Sequence, residues 1–100
     1  MKSISDKMIS ILRSNRKLIL RYDTYWYLTA YIDGYFAGIY TCQNNDIFSQ
    51  FTSWIEQKTN HSFSVHYSQY ILEYLANNNE DKAVEILLDY LEAFFNESDL

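Results

Sequence analysis

Histidine carries most acid–base and metal chemistry near neutral pH, and this chain has two, His61 and His66. Their spacing does not put both on one turn of a helix, and no HExxH, CxxC or acidic calcium loop accompanies them, so no dedicated metal site is expected. His61 falls in a polar loop and His66 in the first turn of a predicted helix, and both read as solvated residues. The single cysteine, Cys42, sits in Tyr40-Thr41-Cys42-Gln43 with no local base or cation to activate it, so its role reads as incidental. Phosphate cradles need glycine-rich turns, and neither GxxxxGK nor GxGxxG occurs. No GxSxG elbow raises a serine as nucleophile, and no cofactor is expected. Asp and Glu side chains can meet in space as an acid–base pair, but one small domain without a second to form a cleft points to binding and not to catalysis.

The carboxylates are the remaining charged chemistry, and their placement is uneven. Residues 1–21 carry six cations, Lys2, Lys7, Arg13, Arg16, Lys17 and Arg21, against Asp6 alone, whereas residues 22–100 carry Lys58 and Lys82 against twelve carboxylates. The net charge of −5 repels nucleic acid over most of the surface, and the carboxy-terminal part attracts a basic partner. The plainer readings are that the acidity serves solubility, and that the amino-terminal cations pair with the acidic carboxy-terminal helix. One cysteine allows no intramolecular disulfide, which fits a reducing cytosol. Asp6, Lys7 and Arg13 interrupt the amino-terminal apolar stretch before a signal-peptide core forms. The most apolar window, Tyr25 to Cys42, contains Asp33 and five tyrosines and falls short of a membrane span. A cytoplasmic protein with no membrane segment is expected.

A chain of 100 residues, 48% hydrophobic and 18% aromatic, is sized for one folded domain over 1–100. There is no proline and there are only two glycines, Gly34 and Gly38, so helices must end at polar clusters: Arg21 to Thr24, Gln43 to Asp46, Lys58 to Ser62 and Asn77 to Asn79. The five segments between them read as an all-α bundle of about five helices. Ser3 can cap the first, whose apolar residues are Ile4, Met8, Ile11 and Leu12; Leu18 to Leu20 either extend it or form a tight connection. In the second, Asp33-Gly34 between aromatic residues is a hairpin signal, which would make the fold α+β. Against it, Leu28, Ile32, Phe36 and Ile39 form one helical stripe, capped by Asp23 or Thr24, and Ala30, Gly34 and Gly38 form a small-residue stripe that admits another helix. The third helix spans Asp46 to Lys58 with Ile47, Phe48, Phe51, Trp54 and Ile55 inward. The fourth spans Ser64 to Ala76 with Tyr67, Tyr70, Ile71, Tyr74 and Leu75 inward. The fifth spans Glu80 to Asn96 behind the cap Asn79, with Val84, Leu87, Leu88, Leu91, Phe94 and Phe95 inward. Its outer edge is acidic: Glu85, Asp89 and Glu92 recur at helical spacing, and Glu80 and Asp81 suit the positive end of the helix dipole.

The order of features resembles small all-α immunity proteins encoded beside bacterial polymorphic toxins, including those of contact-dependent growth inhibition loci. The residues that carry the likeness are Tyr31-Ile32-Asp33-Gly34-Tyr35, the run Ile47 to Ile55, Ser64 to Leu75, and Glu80-Asp81-Lys82-Ala83 leading to Leu87 to Phe95. Where similar proteins carry an Arg-Pro-Gly-type turn, this chain has Arg16-Lys17-Leu18-Ile19-Leu20. The resemblance implies binding of a cognate toxin carboxy-terminal domain, often a nuclease, in the cytosol. The residues themselves agree: a nuclease presents a basic groove to phosphates, and an acidic helix edge of Glu80, Glu85, Asp89 and Glu92 can occupy it, with tyrosines as anchors. Other readings are a phage-type or adaptor protein that inhibits a nucleic-acid enzyme by acidic mimicry, a small enzyme, and a domain that forms a homodimer through the small-residue stripe.

Overall fold

The computed structural model describes residues 2–98, with side chains from Ser5 onward. It is an all-α bundle of five helices: α1 (Lys2–Ser14), α2 (Tyr25–Gln43), α3 (Ile47–Thr59), α4 (Tyr67–Tyr70, continued by a π-helical turn, Ile71–Leu75) and α5 (Glu80–Glu97), with a 3₁₀ turn at Arg16–Leu18. The second segment is therefore a helix and not a hairpin. Asp33-Gly34 lies mid-helix because Leu28, Ile32, Phe36 and Ile39 all bury on one side of it.

The capping expected from sequence operates at the starts of α2 and α5, and Asp46, expected as the first residue of the third helix, caps it instead. Thr24 Oγ1 accepts from Tyr27 N–H, Asp46 Oδ1 from Ser49 N–H at 3.1 Å, and Asn79 Oδ1 from Lys82 N–H at 3.0 Å. The stops are made by asparagine. Asn44 and Asn60 close α2 and α3 at φ 52° and 53°, and Asn77 and Asn78 follow the π turn at 52° and 63°. Asparagine tolerates this left-handed region better than other side-chain-bearing residues. Both glycines, the usual occupants, sit instead in helical backbone with no positive φ.

Helix α5 is central and packs against α1, α2, α3 and the π turn. Its buried stripe, Leu87, Leu88, Leu91, Phe94 and Phe95, meets a cluster of rings around Phe51, whose centroid lies 5.8 Å from Phe36, 5.2 Å from Tyr67 and 5.3 Å from Phe94. Such edge and tilted ring pairs add to the area they bury.

Five sequence expectations are corrected. In α3 Phe48, expected inward, is 38% exposed. Ser3 lies inside α1 and not ahead of it, and its side chain and that of Ile4 lie outside the described residues. In α1 it is Ile9 that buries while Ile11 is 40% exposed, because docking on α5 rotates the helix toward Ser5, Met8, Ile9 and Leu12. In the fourth helix Leu72 buries and Tyr74 stands 67% exposed, since the π turn resets the helical phase. The small-residue stripe receives no helix of this chain: Ala30, Gly34 and Gly38 are exposed, and a Cβ built on either glycine meets nothing within 4 Å.

Candidate partner-binding face

The four carboxylates singled out on the fifth helix separate into two pairs. Asp89 and Glu92 face the end of α1, where Arg13 Nη2 donates to Asp89 Oδ1 at 2.9 Å and to Glu92 Oε1 at 3.0 Å. Burial of the guanidinium works against its charge, but these two carboxylates outweigh it and raise its pKa. The expected pairing of amino-terminal cations with the acidic helix is thus present at Arg13. Arg16 is held separately: its Nε donates to Asp23 Oδ1 at 2.8 Å and its Nη1 to the Leu12 carbonyl.

Glu80 and Glu85, with Asp81, lie nearer the start of α5 and have no ion-pair partner among the described residues. They border a groove of about 580 Å³ where the end of α1, the start of α2 and the start of α5 converge. Buried Tyr25 and Leu88 and half-buried Val84 line the same groove, as do Arg13, Arg16 and Asp23. Since Arg13 and Arg16 already hold carboxylates, the charge left uncompensated at the groove is that of Glu80, Asp81 and Glu85. The positive end of the α5 dipole partly offsets Glu80 and Asp81.

A second polar constellation, between α2 and α4, had not been expected. His66 is the N-cap of α4: its Nδ1 accepts from Ser68 N–H at 3.1 Å and lies 2.7 Å from Ser68 Oγ. On the other side of the ring, Nε2 lies 3.0 Å from Asp33 Oδ2. The other oxygen of Asp33 accepts from Tyr67 Oη–H at 2.8 Å, and buried Tyr25 donates to the Ser68 carbonyl at 2.7 Å. Burial, reinforced by the Asp33 charge, pushes both phenols well above the usual tyrosine range. Serine, histidine and aspartate thus lie side by side, but Ser68 is 4% exposed and the imidazole nitrogen that meets its hydroxyl caps the helix. The arrangement ties α4 to α2.

His66 is therefore a cap and a bridge and not a solvated residue. His61 is exposed in its loop, as expected, and stacks on Tyr70 at 5.7 Å between centroids. One signal in the sequence pointed to this: Asp33 is the lone charge in the apolar window Tyr25 to Cys42, and a half-buried carboxylate requires donors. The ten tyrosines divide three ways, with Tyr25, Tyr67 and Tyr70 buried, Tyr31, Tyr35 and Tyr90 half-buried, and Tyr22, Tyr27, Tyr40 and Tyr74 exposed.

Cys42 is exposed. Among the described residues no group of three or more His, Cys, Asp or Glu is placed to hold a metal ion, and no helix is long and apolar enough to cross a membrane. No family model, no curated protein and no solved structure matches this chain.

Proposed function

We propose that this chain is an immunity protein that binds and neutralises a cognate toxin domain, a nuclease, through the start of α5. The observation that supports the reading is the uncompensated acidic rim of Glu80, Asp81 and Glu85 around the groove with Tyr25, Val84 and Leu88. A nuclease concentrates Lys and Arg where it grips phosphates. Three carboxylates over a partly apolar floor give such a surface both charge and area to close on, and the charge steers the encounter.

Within this reading the four acidic residues act differently. Glu80 and Glu85 meet the partner directly. Asp89 and Glu92 hold Arg13 against α5, and so keep that cation from cancelling the rim. The same charge pattern would serve an inhibitor that mimics nucleic acid, and gene neighbourhood separates the two: immunity requires a toxin gene beside this one.

The test is calorimetric titration of the full chain against the toxin domain encoded next to it, at low and high salt. The Glu80→Lys/Glu85→Lys chain is expected to bind at least about 10-fold more weakly, with a smaller salt dependence. Unchanged affinity would remove the acidic rim from the interface.

A further inference from the structure

Among the described residues, nothing lies over the outward side of α2. Across Tyr25–Gln43, about 28 Å of helix at 1.5 Å per residue, every fully exposed position is uncharged. The helix's one charged residue, Asp33, is bound to Tyr67 and His66. Helices apolar on all sides are ordinarily covered on all sides, and exposed apolar strips of this length mark contacts.

The two ends of the strip complement each other. At the start stands Trp26, 48% exposed, and its indole N–H has no acceptor among the described residues, whereas Trp54 Nε1–H reaches Glu97 Oε1 at 3.1 Å. At the far end lies a groove of about 310 Å³, chiefly apolar, lined by Ala37, Tyr40, Thr41, Phe48 and the carboxylates Asp33 and Asp46. At about 100° per residue, Trp26, Ala37 and Tyr40 lie on one side of the helix. A two-fold axis across α2 near Gly34 reverses the helix but keeps that side. It therefore carries the Trp26 of one copy to the level of Cys42 in the other, next to Thr41 at the edge of the groove, and sets Ala30 over Gly38. The glycines leave the space that such an approach needs.

Charge agrees with this direction. Arg21 lies over the Tyr22 ring, which packs edge-on against Tyr27, so a cation stands at the Trp26 end. Asp46, at the groove end, accepts from Ser49 but has no cation partner among the described residues. Antiparallel pairing brings Arg21 of one copy to Asp46 of the other; parallel pairing stacks like against like.

We infer that α2 is the interface of an antiparallel, two-fold symmetric homodimer in which the Trp26 of each copy fills the other's groove beside Tyr40 and Asp46. The interface is isologous, so both grooves fill at once. It lies on a different helix from the acidic rim and does not depend on the toxin reading.

Sedimentation equilibrium of the full chain tests it. The expected result is a concentration-dependent monomer–dimer equilibrium that Trp26→Ala weakens at least about 10-fold at unchanged far-UV circular dichroism, as for an anchor residue. Oxidative cross-linking reads the direction. In a Cys42→Ser background, Gly34→Cys, at the two-fold axis, is expected to form a disulfide dimer, and a control Glu85→Cys is not. A chain monomeric at every concentration overturns the inference, as does a dimer indifferent to Trp26→Ala. Rapid disulfide formation through native Cys42 would mean parallel pairing and also overturns it. Binding of the monomer to vesicles of anionic phospholipid, without dimer, would assign the strip to a membrane surface instead.

Discussion

Helices α2 and α5 are the two long helices of the bundle, and their inner faces are interchangeable in kind: each presents aliphatic and phenylalanine side chains to the rings around Phe51. Their outer faces are opposites. On α5 the outer positions include Glu80, Asp81, Glu85, Asp89 and Glu92 with Lys82 as the one cation, whereas on α2 they include Trp26, Tyr27, Ala30, Gly34 and Gly38 and carry no charge. Burial of one stripe is enough to place a helix, so the outer face is free to carry something else. Charge on α5 suits a partner recognised from a distance, and the uncharged strip on α2 suits a surface recognised by shape.

Removing what the two helices share should cost most. Phe51→Ala withdraws the ring that touches Phe36 of α2 and Phe94 of α5, and is expected to destabilise the fold by about 3–5 kcal/mol in urea titration. A loss below about 1 kcal/mol would show that the ring cluster is not the common anchor.

The next effect separates α2 from α5, since only α2 is tied to α4 by buried phenols. Tyr25 and Tyr67 have raised pKa values in the fold, so their contribution is complete below the ordinary tyrosine pKa and is lost as pH rises beyond it. Stability is expected to fall above about pH 10 by about 1.4 kcal/mol per pH unit for each phenol. Tyr67→Phe, measured by thermal melts from pH 8 to about 11, should lower that slope by one phenol's share. An unchanged slope would contradict the burial of these hydroxyls.

Smaller effects test the outer faces themselves. Gly38→Ala on α2 meets open space and replaces the poorest helix former after proline, so monomer stability should rise by about 0.5–1 kcal/mol. Glu85→Ala on α5 should change stability by less than about 0.5 kcal/mol, because that carboxylate has no partner within the described residues. Arg13→Ala is likewise expected to cost little, about 1 kcal/mol or less, since the Arg13, Asp89 and Glu92 side chains are 36%, 67% and 50% exposed. A much larger loss would mean that the bridge to α1 is structural and not a surface ion pair.

What was legible in the sequence was local. The stripe Leu28, Ile32, Phe36, Ile39 and the caps Thr24 and Asn79 need only neighbours within a turn or two, and the polar clusters containing Asn44, Asn60 and Asn77 mark where helices stop. What was illegible depends on contacts far apart in the chain. Whether Ile9 or Ile11 turns inward depends on how α1 docks on α5. The contact of His66 with Asp33 joins residues with no common periodicity. The π turn rotates Leu72 in and Tyr74 out, and helical spacing alone does not foresee it. At the acidic edge the carboxylates were legible as a row, but not that Arg13 would hold Asp89 and Glu92 and leave Glu80 and Glu85 without a cation.

The central claim is that the start of α5 recognises a basic nuclease domain. Its most direct test is affinity capture from lysate of the source organism, with the native chain and the Glu80→Lys/Glu85→Lys chain as parallel baits at low and high salt. The account predicts that the native chain retains a toxin carboxy-terminal domain, releases it in high salt and suppresses its nuclease activity, while the reversed chain retains little. Equal capture by both baits, or capture of partners without a nuclease among them, would contradict it.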